Sequence, residues 1–98
     1  MGHIFDEATT YSDDLDLFER LGLEPFSVPL RVKHHVGDVT LDGIVVRLWV
    51  TCAPAQFWEF EFTLKGATYH VETASGSLSA NWPTVVAVAE KLKGGTRR

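Results

Sequence analysis

Trp58-Glu59-Phe60-Glu61-Phe62-Thr63-Leu64-Lys65-Gly66-Ala67-Thr68-Tyr69-His70-Val71-Glu72-Thr73 is the stretch on which the fold turns. Its first half alternates large apolar side chains with polar ones at a period of two, the pattern of a strand with one buried face. Lys65-Gly66 interrupts the alternation for two residues and supplies a glycine where a tight hairpin turn needs one. The alternation then resumes through Ala67, Tyr69, Val71 and Thr73. A turn at these residues pairs Leu64 with Ala67, Phe62 with Tyr69 and Phe60 with Val71 on an inner face. It sets Glu61 opposite His70 and Glu59 opposite Glu72 on the outer one.

Working outward, Ile44, Val46, Leu48 and Val50 alternate with Val45, Arg47, Trp49 and Thr51, predicting a preceding strand. A five-residue loop, Cys52 to Gln56, keeps apolar against apolar by pairing Val50 with Trp58 and Leu48 with Phe60. Arg47 then faces Glu61 and Trp49 faces Glu59. Further back, Leu30, Val32, His34 and Val36 alternate with Arg31, Lys33 and His35, predicting a first strand. Either Gly37-Asp38 or Asp42-Gly43 can turn the chain into the next strand, and the other then forms a bulge.

Helical patterns flank the sheet. Ser12 is a suitable N-cap, Asp13 and Asp14 suit the positive end of a helix dipole, and Leu15, Phe18 and Leu21 fall on one face. Gly22 and Pro25 end that helix. A second helix is predicted from an Asn81 cap, with Pro83 in its first turn, an apolar face of Trp82, Val85, Val88, Ala89 and Leu92, and Gly94-Gly95 as its stop. The expected architecture is α+β, α-β-β-β-β-α, a four-stranded antiparallel sheet with both helices on one face. Residues 1–98 read as a single domain, with 1–11 an irregular arm and 95–98 a loose tail.

Composition narrows the classes of function. Apolar residues make up 45% and charged residues 22% of the chain, values of an ordinary globular domain rather than a disordered one. The single cysteine, Cys52, forms no internal disulfide framework, and no signal-peptide or membrane-spanning pattern is present, so a cytoplasmic protein is expected. The net charge of −4 disfavours direct nucleic-acid binding. That charge is uneven. Residues 1–24 carry seven acids (Asp6, Glu7, Asp13, Asp14, Asp16, Glu19 and Glu24) against Arg20 alone, a balance of −6.

Candidate chemistry is sparse. Glu59, Glu61, His70 and Glu72 could be drawn as metal ligands, but alternating glutamates on an exposed strand read as a solvated face. Cys52 lacks a neighbouring histidine and reads as a small buried hydrophobe. Ser75-Gly76-Ser77 lacks the lysine and spacing of a phosphate loop and reads as a connection. No catalytic residue, metal or cofactor is expected. Trp49 is different, because an outward tryptophan is costly to expose and tryptophan is enriched at binding hot spots. An arm of the chain carrying Ile4 and Phe5 could instead cover it. The clustered acids can imitate the phosphates of a nucleic acid and occupy a partner's basic channel.

In organisation the chain resembles small proteins of phages and mobile elements of the anti-CRISPR type. The resemblance rests on the acidic N-terminal helix, the strand Ala67-Thr68-Tyr69-His70-Val71, and Ser75-Gly76-Ser77-Leu78-Ser79-Ala80-Asn81-Trp82-Pro83 leading into an apolar last helix. Anti-CRISPR proteins share no common motif, so no residue roles carry over. The resemblance implies a stoichiometric inhibitor in a bacterial host's cytoplasm that blocks the DNA site of a CRISPR effector complex. The partner-binding residues expected are Asp6, Glu7, Asp13, Asp14, Asp16, Glu19, Trp49, Glu59, Glu61 and Glu72, on a monomer or weak dimer with no membrane partner. Two alternatives compete: a small-ligand-binding domain with a partly polar cavity, and a subunit that dimerises through the open sheet face around Trp49.

Overall fold

The computed structural model describes residues 7–53 and 55–96. In chain order they form β1 (Glu7–Thr9), a single 3-10 turn (Ser12–Asp14), α1 (Leu15–Leu21), β2 (Ser27–Pro29), β3 (His34–Leu41), β4 (Ile44–Cys52), β5 (Gln56–Leu64), β6 (Ala67–Ser75) and α2 (Leu78–Thr96). The fold is α+β, with a four-stranded antiparallel meander β3-β4-β5-β6 as predicted and a separate two-stranded sheet, β1-β2.

The small sheet is a departure. Residues 7–9 of the predicted arm pair antiparallel with Ser27–Pro29, Ala8 opposite Val28. The pairing is held further by the Phe26 amide, which donates to Thr10 Oγ1 at 2.7 Å. Three-residue strands carry too little alternation to stand out in a sequence. The predicted first strand also moves, because Leu30-Arg31 forms a turn and pairing starts only at His34.

Asp42-Gly43 is the β3–β4 turn, and both residues lie at positive φ, 54° and 88°. That is the twist a two-residue hairpin requires. Gly37 takes the bulge, where the register slips between His35 and Gly37. A Cβ at Gly37 would lie 2.6 Å from Leu23 Cδ2, so glycine lets the bulge close on the segment behind it. The β4–β5 register is the predicted one, with Val50 opposite Trp58, Trp49 opposite Glu59 and Arg47 opposite Glu61. The strands continue to Cys52 opposite Gln56, which shortens the connection to residues 53–55.

The β5–β6 register departs from the prediction beyond its first pair. Leu64 faces Ala67 as expected, but a bulge at Tyr69 sets Phe62 against His70, Phe60 against Glu72 and Trp58 against Ala74. His70 and Glu72 thereby move to the side of the sheet that bears the helices, while Val71 turns outward and stays 46% exposed. The exchange is tolerable because α2 meets the sheet over β5 and leaves β6 at the rim of the core. There Glu72 accepts a hydrogen bond from His70 Nε2, and Ala74 gives room beside Trp58.

One continuous core unites both helices and both sheets. Phe18, Val46, Leu48, Trp58, Phe62 and Leu78 are fully buried in it. The inward face of α1 is Leu17 and Phe18, whereas Leu15, expected inside, is 45% exposed. The 3-10 turn rotates the helix start, so the spacing counted from Ser12 misplaces the stripe. On α2 the predicted face is the one that packs: Val85 and Ala89 are buried, and Trp82, Val88 and Leu92 are partly so.

Both ends of α2 differ from the prediction. It starts at Leu78, with Ser77 Oγ accepting the Ala80 amide at 3.1 Å. Asn81 instead donates to the carbonyls of Ser75 and Ser77, and Pro83 lies inside the helix. The helix passes Gly94-Gly95 to Thr96, two residues into the predicted tail. Lys93 Nζ reaches Asp42 Oδ2 at 2.9 Å, tying the last turn of α2 to the β3–β4 turn.

That tie has a pH signature. The Lys93 ammonium, by hydrogen bond and by charge, holds the Asp42 carboxyl below its ordinary value. Because the folded value lies below the unfolded one, the pair's contribution is present above about pH 4 and is lost as pH falls through the folded value. In a carboxyl-carbon NMR titration Asp42 is expected to titrate below the ordinary aspartate value. Lys93→Met should return it toward the ordinary value, and a midpoint unmoved by that change would show the tie is not made in solution.

Candidate functional site

The acids predicted to act together do not converge on one surface. Asp14 is fully buried. Its Oδ2 accepts the Leu78 amide and its Oδ1 the Ser79 amide, both at 2.9 Å. It thus caps a helix that begins 64 residues later in the chain. The carboxylate satisfies two otherwise unpaired donors and sits at the positive end of the α2 dipole. Asp14 therefore belongs to the core's polar hardware, not to a surface that meets a partner. The sequence reading placed it at the right kind of site but on the wrong helix.

Asp13, Asp16 and Glu19 recur every third residue on the solvent side of the 3-10 turn and α1, opposite Leu17 and Phe18, and all three are exposed. Glu24, just past the Gly22 helix stop, is exposed as well. Arg20 is the basic residue of this segment, and its Nε bonds Asp16 Oδ2 at 3.2 Å. The result is an acidic ridge. Glu7 opens β1, and Asp6 lies outside the described residues.

Trp49, Glu59 and Glu61 lie on the sheet face away from the helices. Trp49 is half-buried and enclosed by its neighbours. Its Nε1 donates to Glu61 Oε1 at 2.8 Å, His35 lies against its ring with centroids 4.8 Å apart, and Lys33 Nζ sits 4.9 Å from the ring centroid. Lys33 Nζ also bonds Glu59 Oε2 at 2.9 Å, and His35 Nε2 donates to Asp38 Oδ1 at 2.7 Å. Lys33, just before β3, thus pairs with Glu59 of β5 across the indole, while His35 pairs with Asp38 of its own strand. Strand β3 covers Trp49; Ile4 and Phe5 of the postulated covering arm lie outside the described residues. Glu72 is on the other side of the sheet with His70, so it converges with neither Glu59 nor Glu61. Among the described residues, no three His, Cys, Asp or Glu side chains gather in a way that could hold a metal. No helix in that part of the chain is long and apolar enough to cross a membrane.

Cys52 is buried, and desolvation pushes its thiol above the ordinary range. A thiol held protonated at neutral pH is a poor nucleophile. Ser75-Gly76-Ser77 is a connection, as read, but the Gly76 carbonyl accepts both Trp58 Nε1 and Gln56 Nε2 at 3.1 Å. Gln56 is the feature the sequence reading missed, since a polar residue at a strand start carries no sign that its amide will be buried. Comparison with protein-family models, curated proteins and solved structures finds no match to this chain.

Proposed function

We propose that this chain is a non-enzymatic binding protein that presents its acidic ridge to a basic, nucleic-acid-binding surface of a protein partner. The observation that carries this reading is a contrast among the acids. Glu59 bonds to Lys33 just before β3, and Glu61 and Glu72 bond to side chains of the sheet, Trp49 and His70. Asp13, Asp16, Glu19 and Glu24 project into solvent with Arg20 as their basic neighbour. Carboxylates repeated along a short helix offer a basic groove an anionic row in place of phosphates. Trp49 is less suited to anchor a partner, because its N–H and ring faces are already engaged.

The likeness in organisation to anti-CRISPR proteins makes a CRISPR effector complex the first partner to try, with inhibition by occupation of its DNA site. Immobilised protein exposed to a panel of such complexes should retain one of them at about 0.1 M salt. It should release that complex near 1 M, where the Debye length falls to about 3 Å. Reversing Asp13, Asp16, Glu19 and Glu24 to lysine is expected to weaken capture about tenfold or more while leaving the melting curve nearly unchanged. Capture that ignores both salt and charge reversal would overturn the electrostatic reading.

A further inference from the structure

Strand β6 is an edge. In the order β3-β4-β5-β6 it has β5 on one side and, among the described residues, no strand on the other. The Gly76 amide donates to the Gln56 carbonyl at 3.0 Å, which fixes the phase of the ladder. Bonded and unbonded residues alternate along an antiparallel pair. His70, Glu72 and Ala74 therefore turn their backbone groups to β5, opposite Phe62, Phe60 and Trp58. Val71, Thr73 and Ser75 turn theirs to the open edge, and their side chains are exposed as well, Val71 by 46%. Edges of this kind are commonly blunted by lysine, proline or a bulge. The other edge, β3, is broken in mid-strand by the Gly37 bulge. Strand β6 carries no lysine or proline, and its bulge at Tyr69 leaves His70 to Ser75 regular.

We propose that a second copy of this chain pairs with β6: the two β6 strands lie antiparallel about a two-fold axis at Val71, joining the two four-stranded sheets into one. The occupant follows from the edge itself, which is complementary to its own image. With the axis at Val71, the two valines exchange both backbone bonds and cover each other's exposed side chains. His70 then lies opposite Glu72 of the second copy, in the unbonded position where side chains come closest, and the axis repeats the pair. Both side chains are part-exposed, at 40% and 37%, and already bond within the chain, so two copies build an alternating ring of donors and acceptors. An axis one residue further on would set Glu72 against Glu72, and one residue back His70 against His70. An axis at Thr73 would leave both groups unmatched, so charge complementarity selects Val71.

Sedimentation equilibrium of the full chain is expected to show monomer and dimer with a Kd between about 1 μM and 1 mM, the range of a small interface. Hydrogen exchange locates the contact. In dilute protein the Val71 amide should exchange fast while those of Glu72 and Ala74, bonded to β5, exchange slowly. Raising the concentration through the Kd should slow Val71 by about threefold or more. Val71→Lys, at an exposed position, should leave the melting curve nearly unchanged and raise the Kd by about tenfold or more. His70→Glu sets like charges across the axis and should do the same. Adding Glu72→Lys to it should bring the Kd back to within about threefold of the wild type. A chain that stays monomeric at about 1 mM would overturn the pairing. So would a Val71 amide indifferent to concentration, a double variant as weak as His70→Glu, or a dimer lost in Trp49→Ala but kept in Val71→Lys. The wild-type measurements decide even if a variant fails to fold. None of these results depends on the acidic ridge, so the two proposals stand or fall separately.

Discussion

Trp58→Ala is expected to remove about 4 kcal/mol of stability, the largest single loss in this chain. The indole has no solvent exposure. It stacks on Phe60 with ring centroids 6.1 Å apart and meets Phe18 and Phe26 edge-on at 6.3 Å, joining β5, α1 and the segment that leads into β2. Truncation leaves a void whose walls belong to three different elements, so none of them can close it alone. A domain of this size has about 5–15 kcal/mol in all, so the variant should be marginal at 37 °C. Urea denaturation checks it: with a slope of about 1–3 kcal/mol per molar, the midpoint should fall by about 2 M. Trp49→Ala is the control. That indole is half-buried on the open face, and a loss approaching that of Trp58 would mean the outer face is a second core rather than a surface.

Asp14→Ala is expected to cost about 3 kcal/mol, far more than alanine at any other acid of the first helix. The substitution strands the buried amide of Leu78 and the half-buried amide of Ser79, and removes a negative charge from the head of α2. Asp14→Asn keeps one acceptor and should cost about half as much. Asp13→Ala and Asp16→Ala, at exposed positions, should stay within about 0.5 kcal/mol. Thermal melts of the four variants give the ranking directly. Equal small losses at all positions would mean that the bond between the first helix and the last is not formed. The ranking also bears on function. Charge reversal at Asp14 would unfold the head of α2 and imitate a binding defect, so the ridge must be tested through Asp13, Asp16, Glu19 and Glu24.

Much of the sheet was legible because its signals are local. Alternation over residues 44–51 and 58–64 marked the middles of β4 and β5, and Lys65-Gly66 marked the turn from β5 to β6. Matching apolar with apolar across the loop was enough to set the β4–β5 register. What failed were readings that treat a strand as an unbroken period. The Tyr69 bulge inverts every later residue of β6, and no two-residue rhythm announces it. For the candidate site, the sequence showed Asp13 and Asp14 alike as acids at a helix start, and only the amides 64 residues away drew Asp14 inside while Asp13 stayed exposed.

The sequence by itself determined the α+β class, the antiparallel meander, the apolar face of α2 and the concentration of acid at one end. Each of these depends on residues within a turn or a hairpin of one another. Tertiary structure alone decided which acid is buried, how Lys33, His35 and Glu61 close around Trp49, and that the Gln56 amide is buried against the Gly76 carbonyl. Those outcomes depend on how groups distant in sequence satisfy, or fail to satisfy, one another's hydrogen bonds once water has been excluded.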